Sequence, residues 1–260
     1  MWCYICVLCD ETVQFKTNFF EKGLFTTMQK YKLGILGGMS WQSTQLYYHY
    51  LNEGMAVRQG GLHSLELLLY SFDFERIAAM QAQGDWQTAT ETLITAAQSL
   101  KKAGAERLLI ATNTMHKMAD EIEQETGLEI FHIADATAKA IQLSSSQNPL
   151  LLATNFTMTQ SFYKGRLADK HDIHVAVPNE GDRQFVHDVI YHELCQGHIL
   201  RHSKTAYLDL IKKYQDEGGI DGVIFGCTEI GLLLSQSDLD MPCFDTTKIH
   251  CDYVLEKLLS

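Results

Sequence analysis

A thiol followed at once by a hydroxyl and a carboxylate is a set of side chains that can move protons. Gly226-Cys227-Thr228-Glu229 is such a run, and Thr112-Asn113-Thr114 is a second polar cluster after an apolar stretch. A free cysteine has a pKa of about 8.5, and a helix N-terminus lowers it. Cys227 precedes a helix predicted to begin at Glu229, so its thiol is expected to ionise and act as proton acceptor or nucleophile. Asn113, Thr114 and Thr228, with nearby backbone N–H groups, make the anion site typical of strand ends and helix N-termini. A carboxylate is the expected guest. The plain alternative is a buried packing cysteine, but core strands rarely end in so polar a run.

Other constellations lead nowhere. His192-Glu193-Leu194-Cys195-Gln196 resembles H-E-x-x-H but lacks the second histidine of a zinc protease. Gly34, Gly37 and Gly38 do not follow the dinucleotide order G-x-G-x-x-G, and neither a phosphate-binding P-loop nor a G-x-S-x-G elbow occurs. His198 and His202 read as a solvated pair. Cys195, Cys243 and Cys251 lack polar neighbours and read as packing. Cys3, Cys6 and Cys9 form C-x-x-C-x-x-C without a fourth ligand, so no metal is read.

These residues need elements to hold them at one place. Strands are predicted over 33–36, 65–70, 107–111 and 129–133, with helices over about 40–56, 74–83, 85–103 and from His116 to Gly127. Ser40 or Ser43 caps the first of these. Asp135 is expected to cap a further helix to about 143. The order then restarts: strands over 150–153, 173–177, 222–225 and 242–244, helices from about 158, over 181–195 and 203–217, and a last one capped by Asp245. Strands alternating with helices mean parallel sheet. Leu33 to Leu36 resembles Leu150 to Ala153, Leu109 to Thr112 resembles Ile224 to Cys227, and Ile133 to Thr137 resembles Cys243 to Thr247, at offsets of 110–117 residues. One unit used twice is the expectation.

The fold class is therefore α/β: two pseudo-symmetric Rossmann-like (flavodoxin-like) lobes with parallel sheets and the site in the cleft between them. The first lobe is expected over 30–131 plus 243–260 and the second over 132–242, with residues 1–27 a poorly ordered extension that activity does not need. Ligands bind beyond the carboxyl ends of parallel strands. Under a two-fold relation, Thr112 and Cys227 would approach one ligand from opposite sides.

Composition bounds the partners. The chain has 260 residues, 46% apolar and 20% charged, with a formal net charge of −11. The absence of any basic cluster excludes a non-specific nucleic-acid binder. No apolar run approaches the ~18 residues of a membrane helix. Seven cysteines, an odd number, and no secretory signal point to a reducing, cytoplasmic setting.

At these motifs the chain resembles the aspartate/glutamate racemase family, in the branch of PLP-independent amino-acid racemases. The resemblance rests on Leu33-Gly34-Ile35-Leu36-Gly37-Gly38-Met39-Ser40-Trp41, Ala111-Thr112-Asn113-Thr114-Met115-His116-Lys117, Phe156-Thr157-Met158 with Phe162-Tyr163, and Phe225-Gly226-Cys227-Thr228-Glu229-Ile230. It runs from about Tyr31 to the C-terminus. It implies removal of an α-proton by one residue and return of a proton from the opposite face by another, without cofactor or metal. Family members usually place a cysteine in each lobe; here Thr112 stands in the first. A threonine alkoxide is not an accessible base, so the resemblance implies Cys227 acting on the L-enantiomer of an acidic amino acid and Thr112, or a water it holds, returning the proton. Met39 and Gln81 match substrate-lining positions, and Thr154 is expected to bind the other carboxylate. Glu229 is expected to orient Cys227 or to bind the ammonium. His116 is expected to assist proton transfer or to cap a helix. Ala153 and Asn155 depart from the family's Gly-Thr-Arg-like pattern. The resemblance admits a homodimer. The competing readings are a maleate isomerase, hydantoin racemase or arylmalonate decarboxylase, and a non-catalytic carboxylate-binding protein.

Overall fold

Short apolar runs without alternation suit strands covered on both faces, and that is where these runs lie. A computed structural model describes residues 29–260; the cysteine run and the extension expected over 1–27 lie outside the described residues. The chain opens with β1 (Leu33–Gly37), α1 (Trp41–Gln59), β2 (Leu67–Ser71), α2 (Phe74–Gln83), α3 (Trp86–Lys102) and β3 (Arg107–Ile110). A 3₁₀ turn at Thr114–Met118 leads to α4 (Ala119–Thr126), β4 (Glu129–Ile130) and α5 (Ile133–Gln142). The strands form one parallel sheet in the order β2-β1-β3-β4.

The second pass comprises β5 (Pro149–Leu152), α6 (Asn155–Thr159), α7 (Ser161–His171), α8 (Glu180–His192), α9 (Arg201–Gly218), β6 (Gly222–Phe225), α10 (Ile230–Leu233), β7 (Cys243–Asp245) and α11 (Thr246–Leu259). Its parallel sheet runs β5-β6-β7. A single parallel bridge places Ala176 against Leu150 on the free side of β5. Both sheets thus use one order, in which the first strand lies between the second and the third. The repeat suggested by short sequence matches is a repeat of topology.

Side-chain alternation along the central strands builds the first lobe. Leu36, Leu108 and Ile110 face a core with α3 and α4. Leu33, Ile35 and Leu109 face the other side, where Tyr47 and Leu51 of α1 meet Val254, Leu255 and Leu258 of α11. The last helix therefore packs against the first lobe. Cys243–Asp245, just before it, pairs with β6 in the second sheet. The ladder already open on β6 draws this short strand in.

Local boundaries moved where a side chain outcompeted pattern. Ser40 caps α1, accepting from Ser43 N at 3.2 Å, and Asp245 caps α11 through Thr247 and Lys248 N–H groups. The strand expected over 129–133 stops at Ile130 because His132 caps α5, its Nδ1 accepting from Ala134 N. Asp135 is consequently inside the helix, where Arg166 donates to both carboxylate oxygens at 2.8 and 2.6 Å. The strand expected over 173–177 is reduced to the bridge at Ala176.

Candidate active site

The two central strands that end at polar runs are β3 and β6. Thr112 lies two residues beyond the last residue of β3, and Cys227 two beyond the last of β6. Each strand pairs with the first strand of its lobe on the side away from the second, so the two side chains occupy corresponding points. Both line one cleft between the lobes, of about 350 Å³ counting the space open to solvent. Glycines allow the close approach. Gly38, at the end of β1, has φ of +83°, and a Cβ there would lie 2.4 Å from the Phe72 backbone. A Cβ on Gly226 would lie 2.6 Å from Leu151.

Glu229 organises the Cys227 side. Ser40 Oγ donates to its Oε1 at 2.5 Å; Thr228 Oγ1 and Cys227 Sγ donate to its Oε2 at 2.7 and 3.0 Å. Cys227 is only 8% exposed. Burial pushes its thiol well above the usual value, and the Glu229 carboxylate pushes it further. The expected lowering by a helix N-terminus does not occur. α10 is one turn long, too short for its dipole to outweigh burial beside an anion. Cys227 is held as a thiol that donates a hydrogen bond to Glu229.

The Thr112 side is held by a histidine. The Thr112 carbonyl can only accept, so His116 Nδ1 carries the proton it donates at 2.8 Å. Its Nε2 accepts from Ile133 N at 3.2 Å. His116 packs against His132 and His250 at ring separations of 4.6 and 5.7 Å, and burial holds it well below the usual histidine range. With both nitrogens occupied and no charge to carry, His116 positions the strand end and does not shuttle protons.

Asn113 donates through Nδ2 to Thr246 Oγ1 at 3.1 Å, and Thr246 Oγ1 donates to the Phe225 carbonyl at 2.7 Å. The single Thr246 proton is thereby used, which fixes the amide orientation. The buried Asn113 Oδ1 has no partner. It is an acceptor, suited to an ammonium rather than to the carboxylate expected from sequence. Hydroxyl donors lie elsewhere: Thr114 of the first lobe meets Thr154 and Thr157 of the second at 3.1 and 3.4 Å.

Met39, Gln81, Thr114 and Thr154 line the cleft with Asn113 and Glu229. Thr228 does not; its hydroxyl supports Glu229 instead. Phe74, Ile190 and Tyr191 also line it, and were not singled out from sequence. Cys195, read as packing, stands in the same wall, its thiol pushed up by burial and by Glu229. These second-lobe residues come from α8 and the 3₁₀ turn after it, whose approach to the cleft no local pattern encodes. Thr157 carried a faint signal, its three-residue spacing from Thr154.

Two α/β lobes of one topology, with equivalent strand ends turned to a shared cleft, define the two-lobed racemase fold. The family model described as Asp/Glu/hydantoin racemase matches residues 36–254, and the chain belongs to that family. A Yersinia pestis crystal structure named as a candidate Asp/Glu racemase is 49% identical, covering 88% of this chain and 100% of its own, with a TM-score of 0.81. An aspartate racemase homologue from Pyrococcus horikoshii is 34% identical over 90% of this chain and 100% of its own, with a TM-score of 0.77. The Picrophilus torridus aspartate racemase shares the fold at 22% identity, covering 87% of this chain and 94% of its own, with a TM-score of 0.71. Among the described residues no helix is long and apolar enough to cross a membrane.

Proposed function

We propose that this chain is a cofactor-independent amino-acid racemase in which Cys227 takes the α-proton of the L-enantiomer. The observation that carries the reading is the pairing of Thr112 and Cys227 at equivalent strand ends on one cleft. Cys227 first passes its proton to Glu229 Oε2, 3.0 Å away. The substrate ammonium, accepted by Asn113 Oδ1, lowers the cost of the resulting thiolate. The thiolate removes the α-proton, and the carbanion is stabilised through its carboxylate by the Thr114 and Thr154 hydroxyls. A proton then arrives on the opposite face from a water held by Thr112, and the hydroxide left behind is neutralised through solvent by the proton held on Glu229, which restores the starting state. Aspartate and glutamate, for which relatives are named, are the reference substrates. A free amino acid as partner, with neither nucleic acid nor membrane, and a cytoplasmic homodimer belong to the same proposal.

Incorporation of deuterium at Cα, followed by proton NMR in D₂O across L- and D-amino acids, tests the reading. Wild type exchanges L-enantiomers faster than D, and Cys227→Ser loses about a hundredfold or more. Unchanged exchange in Cys227→Ser, or none with any amino acid in wild type, overturns it.

A further inference from the structure

The charge in the cleft is one-sided. Glu229 is an acid, and among the described residues no lysine, arginine or histidine lines the space. Cations close by in the chain are engaged elsewhere. Lys117 donates to Gln160 Oε1 at 2.7 Å and lies 4.2 Å from the centre of the Trp86 ring. Arg166 is forked onto Asp135; Arg183 gives one Nη to the Pro178 carbonyl at 2.8 Å and keeps a buried Nε without a partner, but it does not line the cleft. Arg76, two residues along α2 from Phe74, lines a separate hollow. His187 packs on Tyr191, its Nδ1 accepting from Asn155 N, and burial lowers its proton affinity, so it adds no charge.

The polar groups on the remaining wall are already paired. Tyr191 Oη donates to Gln81 Oε1 at 2.9 Å, and Gln81 Nε2 donates to Met115 Sδ at 3.0 Å. What this wall offers a substrate side chain is Met39, Phe74, Ile190 and the Tyr191 ring. The threonine cluster serves one carboxylate, the α-carboxylate. A second carboxylate would lose water, find no counter-ion and share the cleft with Glu229.

We infer, within the racemase reading above, that this site prefers an amino acid with an uncharged, aliphatic side chain over aspartate and glutamate. The test compares kcat/KM for α-deuteration of L-alanine and L-methionine with L-aspartate and L-glutamate, using the full chain. The better neutral substrate exceeds both acidic ones by about tenfold or more. Phe74→Arg, which brings a guanidinium to the wall, moves the ratio toward the acidic pair by about tenfold. Aspartate or glutamate outrunning both neutral substrates in wild type overturns the inference alone. So does a folded Phe74→Arg protein with an unchanged ratio. Absence of exchange from all four overturns the racemase reading, and this inference with it.

Discussion

In the proposed reaction Cys227 must lose its proton before it can take one from carbon. Its burial and the adjacent Glu229 both favour the thiol, so in the proposed reaction the substrate's positive charge does the activating. This arrangement protects the sulfur, since a buried thiol reacts slowly. The Thr112 side has no comparable acceptor, because a hydroxyl does not ionise near neutral pH. The asymmetry between enantiomers in the proposed reaction follows from that single residue. Thr112→Cys places an ionisable group on the opposite face and raises exchange of D-enantiomers by about tenfold or more, with the L rate changed less. NMR of both enantiomers in D₂O checks it; an unchanged D rate in a folded variant contradicts the role given to Thr112.

Elements matter here through their ends. The loop after β1 must turn sharply to bring Met39 to the cleft and Ser40 to Glu229, and Gly38 makes the turn at φ of +83° against the Phe72 backbone. Gly38→Ala combines a disfavoured conformation with a backbone clash. A loss of more than about 1 kcal/mol is expected, read from the urea midpoint, together with weaker exchange as Ser40 leaves Glu229. A midpoint equal to wild type would mean that the loop relaxes without strain. The strand end at Thr112 is held differently, by the His116 bond to its carbonyl, so one side of the cleft depends on a glycine and the other on a buried imidazole.

At the scale of the molecule, three histidines are buried where the first lobe meets α5 and α11. Burial lowers His250 from 6.5 to about 4 and His132 from 6.5 to about 2, and His116 moves the same way. The unfolded chain takes up these protons near pH 6.5, while the folded chain resists them. Stability from this cluster is therefore full above pH 6.5 and is lost as pH falls, for His250 down to about 4 and for His132 down to about 2. Each histidine contributes a slope approaching about 1.4 kcal/mol per pH unit within its window. His250 bonds the Tyr47 hydroxyl through Nδ1 at 3.0 Å and the Phe131 carbonyl through Nε2 at 2.6 Å; urea unfolding at pH 7.5, 5.5 and 4.5 shows the decline, and His250→Gln, whose amide offers both partners a hydrogen bond, reduces it. A flat profile between pH 6.5 and 4.5 contradicts the burial of neutral histidines.

Strand and helix order, the parallel sheets and the repeat were legible because each rests on local pattern: apolar runs, caps such as Ser40 and Asp245, and glycine stops. The polar strand ends were legible because thiol, hydroxyl and amide groups rarely follow core strands together, so Cys227, Thr112 and their neighbours stood out. Tertiary structure decided what those groups are in place. It made Cys227 a protonated donor, Asn113 an acceptor, Thr228 a support for Glu229, and His116 a fixed neutral ring. It also brought Tyr191 and Cys195 to the cleft from a helix and turn whose sequence shows no sign of it. Protonation and hydrogen-bond roles depend on which groups desolvate one another, and that is set by contacts between distant segments, which a linear pattern does not contain.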